Sequence, residues 1–141
     1  MTAPVSQGYF NLIAIKESGA GEPQTSSNRY LTTNRFNYLG KYQMGTAALT
    51  ASGLYSGTIY QANQIWDDTK WTPLARSLGV NSRADFLANG SAQEYAMRSY
   101  TDAQWAQLQR LHLDDFVGQT VNYVDITAEG LLAGAHLKGV G

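Results

Sequence analysis

The chain contains no cysteine, which excludes a disulfide framework and any zinc held by thiolates, and leaves the fold indifferent to redox compartment. Its two histidines, His112 and His136, have no companion at metal-ligand spacing, so neither a metal centre nor any other cofactor is expected. Charge is sparse: 15% of residues are charged and the formal net charge is -1. Such a surface has no strong field to draw in nucleic acid or an anionic membrane, and the expected substrate or partner is uncharged or mixed in charge. No apolar run reaches the length of a membrane span. The opening residues Met1-Thr2-Ala3-Pro4-Val5 lack the basic and apolar regions of a secretory leader. A target outside the cytoplasm would therefore require delivery by another machine, or removal of an export segment.

What is present is an ordinary globular composition with a surplus of tyrosine. The 141 residues are 43% hydrophobic, enough to bury a core, and predict one domain over residues 1–141. Nine tyrosines stand against four phenylalanines, a bias that suits a wet groove better than a dry interior. Any single tyrosine, taken alone, is more commonly a half-buried structural residue.

Periodicity predicts helices and little else. Residues 5–18 read as a helix with Ser6 as N-cap and Tyr9, Leu12 and Ile13 at helical spacing. Gly19, Gly21 and Pro23 end it. Residues 20–39 read as a long loop, a length that in a compact domain usually serves binding. A second helix is predicted over 43–52, closed by Gly53. Thr72-Pro73 starts a short helix that Gly79 ends, and Ser82 with Asp85 starts another. Ser91-Ala92-Gln93-Glu94 has the form of a capping box, serine at the N-cap and glutamate three residues on, opening the longest helix, to about residue 113. Thr127 caps the last. The expected fold class is mainly α, with at most a small β-hairpin between residues 25 and 40.

Two segments carry chemistry. Ile13-Ala14-Ile15-Lys16-Glu17-Ser18-Gly19 ends an apolar helix on a carboxylate. About twenty residues later, Gly40-Lys41-Tyr42-Gln43-Met44-Gly45 forms a glycine-bracketed turn. Desolvation at the rim of an apolar segment, and the negative end of a helix dipole, both favour a protonated Glu17. A carboxyl kept neutral near pH 7 serves as a general acid. On spacing alone a glutamate at a helix end is a solvated side chain far more often than a catalyst.

The two segments in this order and at this separation resemble the lysozyme-like superfamily, in its soluble lytic transglycosylase and goose-type lysozyme branch. Lysozyme-like domains of phage particles and type VI secretion effectors are the nearest in kind. There a helix ends in Glu-Ser and a later glycine-x-x-glutamine turn builds the far wall of a sugar cleft. Residues 127–139, with Gly130-Leu131-Leu132-Ala133-Gly134-Ala135-His136, resemble that branch's late helix, with His136 where tyrosine is usual and Leu137 where asparagine is usual. The chain stops soon after that helix where relatives often continue, as a trimmed domain would.

The resemblance implies a lysozyme-like (α+β) helical domain that cleaves the β-1,4 bond between N-acetylmuramic acid and N-acetylglucosamine. Glu17 would be the general acid and then the general base. Ser18 would orient it, or a substrate acetamido group. Tyr42 and Gln43 would line the central subsites with Met44 packed beneath, and Tyr30 and His136 would be further sugar contacts. The implied partner is the peptidoglycan glycan strand, with a phage tail or secretion-system protein as carrier and the periplasm or cell wall as the place of action.

Hydrolysis with two carboxylates needs an Asp or Glu partner for the acid. Glu22, Asp67, Asp68, Asp85, Glu94, Asp114, Asp115, Asp125 and Glu129 are available, none at a persuasive spacing, and Glu94 is already assigned to the capping box. One glutamate suffices for a lytic transglycosylase, in which the sugar's own C6 hydroxyl attacks at high effective concentration. The expected products are therefore 1,6-anhydro ends. A hydrolytic muramidase, and a catalytically silent glycan-binding module of a phage tail or secretion spike, are the alternatives.

Overall fold

The computed structural model describes residues 2–17, 30–57 and 63–138. Among them are six α-helices: α1 Gln7–Glu17, α2 Thr46–Ala51, α3 Pro73–Ser77, α4 Arg83–Leu87, α5 Gly90–Arg110 and α6 Ala128–Lys138. One antiparallel two-stranded sheet joins β1 Thr120–Val121 to β2 Val124–Asp125. The architecture is mainly α with a small hairpin, as periodicity predicts. That sheet lies at residues 120–125, where no hairpin is expected, and the one expected between residues 25 and 40 falls partly outside the described residues. Residues 18–29 lie outside the described residues, and from there to Met44 only isolated bridges form, Thr33 with Leu39 and Leu39 with Met44. No described helix is long and apolar enough to cross a membrane.

The chain divides into two compact units, Phe10–Tyr100 and Met1–Tyr9 with Thr101–Gly141. In the first, local chemistry sets most helix ends. Thr72 accepts the Ala75 N–H at 3.2 Å to cap α3, with proline at the first helical position. Ser82 does the same for α4 through the Asp85 N–H at 3.0 Å. Behind α2, Gly53 (φ +87°) turns left-handed, so that Leu54 N–H reaches back to Leu49 O at 3.1 Å and Gly53 N–H to Thr50 O at 3.1 Å. Two of the last helical carbonyls are thereby satisfied.

Two predicted starts are corrected. Helix α2 begins at Thr46 rather than 43, because Gln43 is left-handed (φ +50°) and Gly45 is extended. Helix α5 begins at Gly90, which puts Ser91 inside it; Asn89 is the cap, its Oδ1 accepting the Ala92 N–H at 3.0 Å. The core of this unit includes an aromatic group in which Trp71 stacks between Trp66 and Phe86, with ring centroids 5.7 Å away on each side.

In the second unit, Ala3 N–H donates to Asp102 at 2.7 Å, and Ser6 N–H to Glu129 at 2.9 Å. Thr127 caps α6 as predicted, accepting the Gly130 N–H at 3.0 Å. The buried apolar residues here are Ala3, Tyr9, Trp105, Leu108, Leu132 and Ala135.

Candidate functional site

Within the turn at residues 40–45, residues 40–43 form a closed four-residue loop. Leu39 and Met44 exchange both backbone hydrogen bonds, at 3.0 and 2.9 Å, while Gly40 N–H donates to Thr32 O at 2.7 Å. Gly40 has φ +82°, and a β-carbon there would meet the Gln93 side chain. Gln93, buried on α5, uses both ends of its amide. Its Oε1 accepts the Lys41 N–H at 2.9 Å, and its Nε2 donates to the carbonyls of Tyr30 at 2.8 Å and Phe86 at 2.9 Å. One side chain thus fixes the turn, the backbone at Tyr30 and the end of α4 to the first turns of α5.

The next residue, Glu94, collects the side chains that this frame positions. Its Oε2 accepts from Lys41 Nζ at 2.8 Å and from the Tyr30 hydroxyl at 2.7 Å; its Oε1 accepts from the Tyr42 hydroxyl at 2.5 Å. The Lys41 ammonium lies 5.3 Å from the ring centres of both Tyr30 and Tyr42, within cation–π range. Glu94 is therefore not the capping residue that its sequence position suggests. Its carboxylate is the hub of a long-range polar cluster.

Burial opposes ionisation of Glu94. The hydrogen bonds from Lys41, Tyr42 and Tyr30, with the Lys41 charge, outweigh it and hold the carboxyl below its ordinary value. Burial and the neighbouring Glu94 carboxylate push the Tyr30 hydroxyl up to about 12. The cluster at neutral pH is thus an ionised carboxylate held by an ammonium and two neutral phenols. As an ionised carboxylate, Glu94 is suited to accept hydrogen bonds and not to donate a proton.

Glu94 also borders an open groove of about 580 Å³ with Tyr30, Leu31, Leu87, Gly90 and Ser91. Gly90 allows the Tyr30 ring to lie close against the start of α5, since a β-carbon there would come within 3.0 Å of the ring. The volume is in the range of small-molecule sites.

The sequence-predicted residues distribute unevenly. Glu17 is the last residue of α1 and is half-buried. Phe10, Ile13 and Ala14 form the buried stripe of α1, and Glu17 continues it at the i+7 position from Phe10. The Phe10 ring, at the start of this stripe, meets the Tyr42 ring of the 40–45 loop edge-on at 6.4 Å. Leu12, predicted to pack inward, is 67% exposed.

Tyr42, Gln43 and Met44 are buried. The Tyr42 hydroxyl is engaged by Glu94, and the Gln43 amide donates to Gly40 O at 2.9 Å and Thr32 O at 3.3 Å. The Gln43 Oε1 is buried with no hydrogen-bond partner. Tyr30 is half-buried at the groove. Ser18 lies outside the described residues, and His136 stands half-buried on α6 in the other unit.

Sequence reasoning missed Gln93, Lys41 and the role of Glu94. The available signal was Gln93 itself, a polar residue four positions before Met97 on the buried face of α5. Buried polar side chains at core positions mark networks. Among the described residues no group of three or more His, Asp or Glu is placed to hold a metal ion. Comparisons of the chain with protein-family models, with curated proteins and with solved structures found no match.

Proposed function

We propose that this chain cleaves the β-1,4 bond between N-acetylmuramic acid and N-acetylglucosamine in peptidoglycan, as a lytic transglycosylase with Glu17 as its acid and base. The observation that carries the reading is the edge-on contact of Phe10 with Tyr42. Glu17 continues the stripe of α1 that Phe10 begins, two turns or about 10 Å further along the helix axis. A half-buried carboxyl at the end of that helix supports the reading of Glu17 as a proton donor.

In this reading Glu17 gives its proton to the bridging oxygen as the C1–O bond of the muramic acid breaks. The N-acetylglucosamine side leaves as an alcohol. The C6 hydroxyl of the same muramic acid then closes on C1 and returns a proton to Glu17. The ring formed is 1,6-anhydro, and no water is consumed. The site of action would be the cell wall, with a phage particle or secretion system as carrier.

The ionised Glu94 favours a second reading, hydrolysis by a muramidase. It is a carboxylate in the same unit that has no capping duty, and two-carboxylate hydrolysis requires one such anion.

Purified cell walls test both. Glu17→Gln should abolish release of soluble muropeptides while far-ultraviolet circular dichroism stays that of the parent. Mass spectrometry of parental products assigns the reaction, anhydro ends for the transglycosylase and reducing ends for the hydrolase. Unchanged wall clearance by Glu17→Gln sinks the proposal, and wall binding without clearance by the parent points to a silent glycan-binding module.

A further inference from the structure

The Glu94 carboxylate is incompletely used. Two carboxylate oxygens offer about four acceptor positions. Oε2 takes the Lys41 ammonium and the Tyr30 hydroxyl, while among the described residues Oε1 takes only the Tyr42 hydroxyl. One position on Oε1 therefore stays open, on a side chain 35% exposed at the edge of the groove. The three donors that hold the carboxylate fix where that open position lies, so a ligand that uses it has little ordering left to do.

Charge and surface narrow the ligand. The Lys41 ammonium, 2.8 Å from Oε2 and itself nearly buried, offsets the carboxylate, so the site offers a strong acceptor with little net charge. An anion would meet the carboxylate. A cation would exchange its hydration for a carboxylate already neutralised. A neutral hydroxyl or amide N–H gains a charge-assisted hydrogen bond. The groove walls are mixed: Leu31, Leu87 and Ala88 supply apolar surface, and the Tyr30 ring supplies an aromatic edge. That combination matches a pyranose, which has apolar C–H faces and donor groups around its rim.

We infer that this groove seats a neutral N-acetylated sugar residue, with Glu94 Oε1 accepting one of its hydroxyl or acetamido protons. The inference rests on the glycan reading above and names the surface that would hold the strand. Tyr30 and Lys41 act as positioning residues for Glu94 and not as sugar ligands through their polar atoms, since both are already committed to Oε2.

The test uses the full chain carrying Glu17→Gln and the N-acetylglucosamine tetramer, titrated by calorimetry and by amide chemical shifts. Shifts should concentrate at Leu31, Leu87, Gly90 and Ser91. Ala88→Trp fills the groove without touching the cluster and should weaken binding more than tenfold. Glu94→Gln should weaken it about tenfold, the usual scale for losing a hydrogen bond to a charged group. Circular dichroism and thermal melting confirm that each variant folds.

Unaltered affinity in Ala88→Trp, shifts confined to other surfaces, or no tetramer binding at millimolar concentration each overturns the groove assignment. Wall clearance by the parent chain separates this from the catalytic reading. Clearance that depends on Glu17 alongside an unaffected Ala88→Trp refutes only the groove, whereas tetramer binding in the groove by a parent that clears no walls refutes only the catalysis.

Discussion

A β-carbon built on Gly40 would lie 2.1 Å from Oε1 of Gln93, so the turn and α5 approach as closely as they do only because residue 40 is glycine. The same Oε1 accepts the Lys41 N–H at 2.9 Å. The position therefore combines a left-handed backbone with a buried hydrogen bond that any side chain would displace.

Gly40→Ala should lower unfolding free energy by roughly 2–4 kcal/mol, the sum of about 1 for the left-handed backbone and about 1–3 for an unmade buried hydrogen bond. Gly53 provides the control. Its φ is +87° but its β-carbon would meet only the Leu74 side chain at 3.6 Å, so Gly53→Ala should cost only the backbone part, about 1 kcal/mol. Urea unfolding of the two variants measures the difference. Equal costs would mean that Gln93 moves aside freely.

The depressed ionisation of Glu94 makes stability depend on pH in one direction. Its pKa in the folded state lies below the ordinary value of 4.5, so the folded chain binds fewer protons there than the unfolded one. The stabilisation is present in full above the unfolded pKa, and is lost as pH falls through the folded pKa. Lys41→Met removes the ammonium but leaves both phenols, and should raise the Glu94 pKa. The acid unfolding midpoint should then move to higher pH. Titration of the Glu94 side-chain carbon by NMR checks the pKa directly, and no upward change would show that Lys41 contributes little.

Tyr30 gives the complementary effect at the alkaline end. Its hydroxyl is pushed up from 10.0 to about 12, so its contribution is complete below pH 10 and fades as pH rises through the folded value. Ultraviolet titration at 295 nm should show a late-ionising component that Tyr30→Phe diminishes by one tyrosine. Glu94→Gln should bring the same titration back toward 10, because the carboxylate's hydrogen bond and charge go with it. A late component left undiminished by Tyr30→Phe would assign the shift elsewhere.

How far the sequence could be read follows from the range of the interactions. Helices α3, α4 and α6 have their caps three residues from the N–H groups they satisfy: Thr72 to Ala75, Ser82 to Asp85, Thr127 to Gly130. Those motifs are local and were legible. The start of α5 departs from the expected capping box, with Asn89 rather than Ser91 as the cap. Glu94 is held by Lys41 and Tyr30, 53 and 64 residues away, and no local pattern encodes that pairing. Gln43 adopts a left-handed backbone that glutamine rarely takes, so the shortened start of α2 left no trace in the sequence. Glu17 as the last described residue of α1 was legible from helical periodicity, whereas the Glu94 groove needs the third dimension.

The hairpin shows why two strands went unread, and it yields a prediction of opposite sign. Val121 pairs with Val124, which leaves Asn122 and Tyr123 as a two-residue loop, both left-handed at φ 51° and 66°. That is the geometry of a type I′ turn, which favours Asn-Gly. Strands of two residues are too short for alternation to register, and tyrosine in place of glycine hides the turn signal. Tyr123 is fully exposed, at 102%, so its side chain contributes no burial to offset the backbone cost. Tyr123→Gly should therefore stabilise the chain, by about 0.5–1 kcal/mol, even though it deletes a large aromatic group. Amide exchange at Ile126, whose N–H donates across the hairpin to Gln119 O at 2.8 Å, should slow accordingly. Faster exchange, or a lower melting temperature, would show that the exposed ring stabilises the hairpin by more than its strained backbone costs.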